Sequence, residues 1–174
     1  PMALVDLLKA VGLFHGLTDD QLQRLIAISQ EEVYDEGQII FRQNAEGDKL
    51  YFIGEGQVEI RIRKRPEAPE RSQVFLGRGQ IFGEMALLDL GKRSATVKCS
   101  RDHTVLHSIS REAFTALCNS DTAIGYVIMR NLACLLYTSD AADDLLCVDL
   151  GGRRTLKKKN TKKKKSYTTH RHTH

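Results

Sequence analysis

The sequence lacks the local signatures of the common catalytic classes. It has no Gly-x-Ser-x-Gly elbow, no phosphate loop of the Walker type and no cysteine with a positioned histidine. Nucleophilic catalysis needs a base beside its nucleophile, so the chain is expected not to be an enzyme. Cysteine is sparse, with 4 among 174 residues. Cys99 and Cys118 show no metal-ligand spacing and read as buried thiols in a reducing cytosol. His103 and His107 stand four apart, but strand periodicity does not put them beside a third ligand, so no metal site is expected. No apolar stretch reaches the roughly 20 residues that span a bilayer, and no signal peptide is evident. A soluble, cytoplasmic chain is therefore expected.

Acidic character is also scarce overall, but only because of one end of the chain. The formal net charge is +4. From Cys134 onward there are ten Lys or Arg and four Asp or Glu, which leaves residues 1–133 with 16 basic and 18 acidic side chains, a net of −2. A lysine run by itself suggests a nuclear-localisation signal, a nucleic-acid-binding arm or a solvated terminus. Here, however, Cys134-Leu135-Leu136-Tyr137-Thr138-Ser139-Asp140-Ala141-Ala142-Asp143 and Cys147-Val148-Asp149-Leu150-Gly151-Gly152-Arg153-Arg154 resemble, in order and in one frame, two parts of a translated sequencing adapter. Lys157–Lys159 and Lys162–Lys165 read as adenine-rich codons beyond it. Residues 134–174 are accordingly expected to be a non-native, adapter-derived tail, disordered or poorly packed, and are set apart from the domain at 1–133. Arg61, Arg63, Lys64 and Arg65 form a second basic cluster, flanked by Glu59, Glu67 and Glu70. Mixed charge of this kind reads as a solvated hairpin rather than a nucleic-acid surface.

Leu4, Leu7, Leu8 and Val11 suggest a short helix ending near Gly12. Thr18 with Gln21 three residues on forms a capping-box signature, with Leu17 and Leu22 as its staple, for a second helix of about three turns. From Glu31 the period changes to two. Gln38–Arg42, Lys49–Ile53, Gln57–Arg63, Gln73–Leu76, Ser94–Lys98 and Thr104–Ser108 read as strands, separated by glycine-marked turns at the spacing of a sandwich or barrel. Ser110 reads as an N-cap before Ala113, Phe114 and Leu117. Ile124, Val127, Ile128 and Leu132 then share a face of another helix. The centre is a small all-β roll between helices.

Within it, Phe82-Gly83-Glu84-Met85-Ala86-Leu87-Leu88-Asp89 is followed, after a turn at Gly91, by Arg93-Ser94-Ala95-Thr96-Val97. A guanidinium meets a phosphate in a planar fork, which suits Arg93 to a compact anion. A carboxylate is acceptor-only, which suits Glu84 to a hydroxyl donor such as a ribose 2′-OH. Gly83 permits close backbone approach, and a short helical turn from Glu84 would present N–H groups to the phosphate. Ala86, Ser94 and Ala95 leave room. Together these types fit a nucleoside 3′,5′-cyclic monophosphate.

These residues resemble the phosphate-binding cassette of the cyclic nucleotide-binding domain family, which includes catabolite-activator-like regulators, protein kinase regulatory subunits and gated channels. The resemblance spans about Leu4 to Ala133. It implies an α+β, mainly β fold: an eight-stranded double-stranded β-helix, or jelly roll, with N-terminal helices, a short cassette helix and a truncated C-terminal helix. The implied ligand-binding residues are Gly83, Glu84, Met85, Ala86, Arg93, Ser94 and Ala95. No cofactor is implied beyond the ligand, cAMP or cGMP. At the position of Ser94, kinase regulatory subunits tend to carry Ala and cGMP-selective relatives Thr, whereas bacterial cAMP binders often carry Ser; cAMP is favoured. The last helix, which in the family closes over the base and carries the signal onward, is expected to be cut near Ala133. Implied partners are the cyclic nucleotide, an output domain missing from this chain and a second copy through the C-terminal helix. No direct nucleic-acid or membrane contact by residues 1–133 is implied. The output is open between a transcription regulator that has lost its helix-turn-helix and a channel, transporter or enzyme.

Overall fold

Two helices precede the strands in the computed structural model, which describes residues 3–88 and 91–138. Helix α1 spans Leu4–Lys9, a 3-10 helix follows at Gly12–Phe14, and α2 spans Asp19–Ile28. The capping box that starts α2 is present: Gln21 N–H donates to Thr18 Oγ1 at 3.2 Å, and Thr18 N–H donates to Gln21 Oε1 at 2.9 Å. Two N-terminal donors are thereby satisfied without water.

Eight strands follow: β1 Gln30–Tyr34, β2 Ile39–Phe41, β3 Lys49–Glu55, β4 Gln57–Ile62, β5 Arg71–Gly77, β6 Ile81–Phe82, β7 Thr96–Cys99 and β8 Thr104–Ser110. They pair antiparallel into two sheets, ordered β1-β8-β3-β6 and β2-β7-β4-β5, which face each other as a jelly roll. Two strands lie outside the runs read from periodicity. β1 is an edge strand whose apolar Val33 points outward, and β6 is two residues long, too short to show a period. Strand β7 starts at Thr96 rather than Ser94, because Ser94 and Ala95 form the bend that leaves the cassette.

Two cores meet at β3. Leu50 and Phe52 point toward the helices, joining Leu13, Phe14, Leu22, Leu25, Phe114, Ile124 and Ile128. Tyr51 and Ile53 point between the sheets, joining Val58, Ile60, Leu76, Phe82, Val97 and Leu106. A strand covered on both faces has no reason to alternate, which explains its unbroken apolar run at Leu50–Ile53.

Helix α3, Arg111–Ser120, starts where Ala113 N–H donates to the Ser110 hydroxyl at 3.0 Å. Helix α4 spans Thr122–Thr138 and so does not stop at Ala133. Leu135 and Leu136 extend the apolar face of Ile124, Ile128 and Leu132 by a further turn and pack against the same core. The rest of the tail, including both lysine runs, lies outside the described residues. Of the two thiols expected to be buried, Cys99 is and Cys118 is only half-buried, at the edge of the core where α3 meets Gly125 of α4. Arg61 pairs with Glu59 at 2.5 Å and Glu70 at 3.4 Å, consistent with a mixed-charge hairpin. Among the described residues, no helix is long and apolar enough to cross a membrane.

Candidate functional site

The connection from β6 to β7 holds the sequence motif. Gly83 has φ +76°, a left-handed conformation that glycine adopts without strain, and a 3-10 helix runs from Glu84 to Leu88. Asp89 and Leu90 lie outside the described residues. Gly91, at φ +96°, leads to Arg93, whose backbone is clamped to the β2–β3 loop: Arg93 N–H donates to Ala45 O and Asn44 N–H donates to Arg93 O, both at 2.8 Å.

The Arg93 side chain turns inward and is buried. Its Nη1 donates to the Gly83 carbonyl at 3.2 Å and its Nη2 to the Lys49 carbonyl at 2.8 Å, while Nε is buried without a hydrogen-bond partner. The guanidinium carbon lies 4.0 Å from the centre of the Phe41 ring. Space around it is tight. A Cβ on Gly83 would lie 2.7 Å from Nη1, and one on Gly47 would lie 3.0 Å from Nε. Burial pulls the arginine pKa down, against the opposing pull of Tyr51, Asp48 and Glu84.

Glu84 is 1% exposed, and neither carboxyl oxygen has a hydrogen-bond partner. Burial pushes its pKa up to about 8; its own backbone N–H and the charge of Arg93 pull the other way and lose. Burial therefore favours the neutral acid over the carboxylate read from sequence. Its carbonyl oxygen still accepts a hydrogen bond. An orphaned buried carboxyl is costly, and a ligand hydroxyl is a group that would satisfy it.

The remaining motif residues divide by environment. Ala86 is buried and donates its N–H to Gly83 O at 3.2 Å, Met85 is half-buried, Ser94 is exposed and Ala95 is buried. The structure thus gathers Gly83, Glu84, Ala86 and Arg93 closely. Phe41, Gly47 and Lys49 also belong to this site and were not singled out from sequence. Lys49 acts through its carbonyl, which no side-chain pattern reports, and Gly47 was visible only as a turn marker. Among the described residues, no group of three or more His, Cys, Asp or Glu is placed to hold a metal ion.

A sequence model described as "Cyclic nucleotide-binding domain" matches residues 31–121, a stretch that takes in β1 through α3 and the whole cassette. The chain belongs to the cyclic nucleotide-binding domain family. Within it, the chain is 34% identical over 139 residues to a cyclic AMP receptor protein of Thermus thermophilus, covering 80% of this chain and 63% of that one. It is 35% identical over 113 residues to a cGMP-dependent protein kinase, isozyme 2, of Drosophila melanogaster, covering 64% of this chain and 12% of the kinase. Among solved structures, it is similar to the catabolite activator protein of Thermus thermophilus, with TM-score 0.63 and 36% identity over 72% of this chain and 56% of that one. It is also similar to the N-terminal domain of a transcriptional regulator from Streptomyces coelicolor, with TM-score 0.71 and 27% identity over 79% of this chain and 94% of that one. The chain spans less than two thirds of the length of the curated relatives named here. The match is to a binding domain.

Proposed function

We propose that this chain is a ligand-sensing regulatory domain that binds a cyclic nucleotide, cAMP in preference to cGMP, and passes a conformational signal to a neighbouring segment. The observation that carries the reading is the pair of buried groups on one cassette: Glu84 with two unpartnered oxygens, and Arg93 with a buried, unpartnered Nε. Arg93 pairs with the cyclic phosphate, and Glu84 accepts the ribose 2′-hydroxyl. Met85, Ala86, Ser94 and Ala95 line the same connection. The preference for cAMP is supported by Ser94, exposed directly after the arginine, and by the cyclic AMP receptor protein, whose match covers a larger share of this chain than the cGMP-dependent kinase does.

A path for the signal is supported by Arg111, the first residue of α3. Its Nη1 donates to the carbonyls of Gly47 at 3.4 Å and Ala86 at 3.3 Å, and α3 packs along α4. A shift of the cassette on binding therefore bears on the helices directly. The ligand moves that equilibrium only by its differential affinity for the two arrangements.

The output is proposed to be transcriptional, the chain being the sensor half of a longer regulator; the structural match to a regulator's N-terminal domain over 94% of its length favours this. Service in a channel, transporter or enzyme is the second reading, favoured by a 39% identity over 88 residues to a putative potassium channel protein of Rhodopseudomonas palustris. We also propose a cytoplasmic location, pairing of two copies through α4, and an adapter-derived origin for residues 134–174. Sequencing an untruncated clone tests that origin: continuation of a regulator-like frame beyond Ala133 supports both it and the transcriptional output, and a genomic copy of the tail contradicts it.

Calorimetric titration with cAMP, cGMP and 2′-deoxy-cAMP tests the ligand assignment. The expected order is cAMP tightest, with 2′-deoxy-cAMP weaker by about tenfold, the worth of one hydrogen bond to a buried group. Equal binding of 2′-deoxy-cAMP would remove Glu84 from the sugar site.

A further inference from the structure

We infer that Phe41 is a positioning residue for Arg93, its ring forming a fixed aromatic platform that holds the guanidinium where it meets an anion. The inference rests on the proposed role of Arg93 as the phosphate ligand. Phe41 is the last residue of β2, and the Arg93 guanidinium carbon sits 4.0 Å from its ring centre, well inside the roughly 6 Å range of a cation–π contact.

The ring is itself held. Tyr51 and Phe82 stack with centroids 5.0 Å apart and planes within 7°, and Phe41 lies tilted at 5.9 Å from each of them. The three rings come from β2, β3 and β6, so the platform is built from both sheets. Elsewhere around the guanidinium, Gly47 and Gly83 leave no space for a side chain, and the Gly83 and Lys49 carbonyls take one hydrogen bond each.

A cation held over an aromatic face spends no N–H group on that contact, because the ring face takes none of them. Nε remains a buried donor without a partner. An aliphatic side chain at position 41 fills the same space but does not offer the negative ring face.

The test is a double-mutant cycle on the 174-residue chain, with cAMP affinity read by calorimetry and, for weak variants, by ligand-observed NMR. Phe41→Leu and Phe41→Met are expected to weaken cAMP by about tenfold, the worth of a desolvated cation–π contact, while Phe41→Tyr restores affinity to within about threefold of wild type. In an Arg93→Gln background, Phe41→Met is expected to change the residual affinity by less than about twofold, because the group it positions is gone. An equal loss in both backgrounds, or a loss in Phe41→Tyr as large as in Phe41→Met, overturns the inference and leaves the ring as filler. Wild-type protein that binds no cyclic nucleotide overturns the ligand assignment itself, an outcome distinct from wild type that binds and is insensitive to position 41. Should Phe41→Leu fail to unfold cooperatively, Phe41→Met, closer in volume, carries the comparison.

Discussion

Burial makes ionisation of Glu84 unfavourable, and that cost has a measurable sign. Burial pushes the carboxyl up to about 8 in the folded chain, from an ordinary value of 4.5. Between those values the native protein holds a proton that the unfolded chain has released, so stability falls as pH rises through that window and levels off above it. Glu84→Gln keeps the shape and cannot ionise. It is expected to flatten the decline, raising the urea midpoint at pH 8 relative to wild type while leaving the two alike at pH 5. A decline with pH of the same size in both proteins would place its origin elsewhere. Arg93 poses the complementary case: its charge is retained in a buried slot by two carbonyls and an aromatic face, none of them anionic. A cation solvated by neutral groups remains able to attract an anion, which a guanidinium already paired with a carboxylate would do less well.

Among the elements, α2 shows how a local signal fixes structure. Its reciprocal Thr18 and Gln21 bonds satisfy donors that packing alone would leave open. Thr18→Ala is expected to cost about 1 kcal/mol in chemical denaturation, with an unchanged denaturant slope. Such caps, the period-two run at Gln57–Arg63 that forms β4, and the apolar face of α4 were readable from sequence because each is written in neighbouring residues. The cassette was readable for the same reason: Gly83, Glu84 and Arg93 fall within one short stretch. What escaped was non-local. The Lys49 carbonyl reaches Arg93 across 44 positions, Phe41 reaches it across the roll, and β6 pairs with β3 through only two residues. The protonation of Glu84 escaped as well, because a carboxyl's titration depends on how completely the fold encloses it, and no spacing rule encodes that.

For the whole molecule, the two cores divide the labour. The core between the sheets carries the aromatic platform and Ala95, and the core beneath the helices takes Leu87 and Leu88 of the cassette; Asn131 ties α4 to the N-terminal segment there, donating to the Leu13 and His15 carbonyls at 2.8 Å each. Tyr126 stands on the outer face of α4, 67% exposed, with the Arg130 guanidinium carbon 5.8 Å from its ring. If that face pairs two copies, Tyr126→Glu shifts the sedimenting species from dimer to monomer; a wild-type chain that sediments as a monomer at all concentrations contradicts the pairing. The central claim concerns the cassette, and calorimetric titration of cAMP into wild type and Arg93→Ala tests it most directly. The account predicts saturable one-site binding to wild type and a loss of about 2–5 kcal/mol in Arg93→Ala, with cooperative unfolding retained. Equal affinity in the two proteins would contradict it.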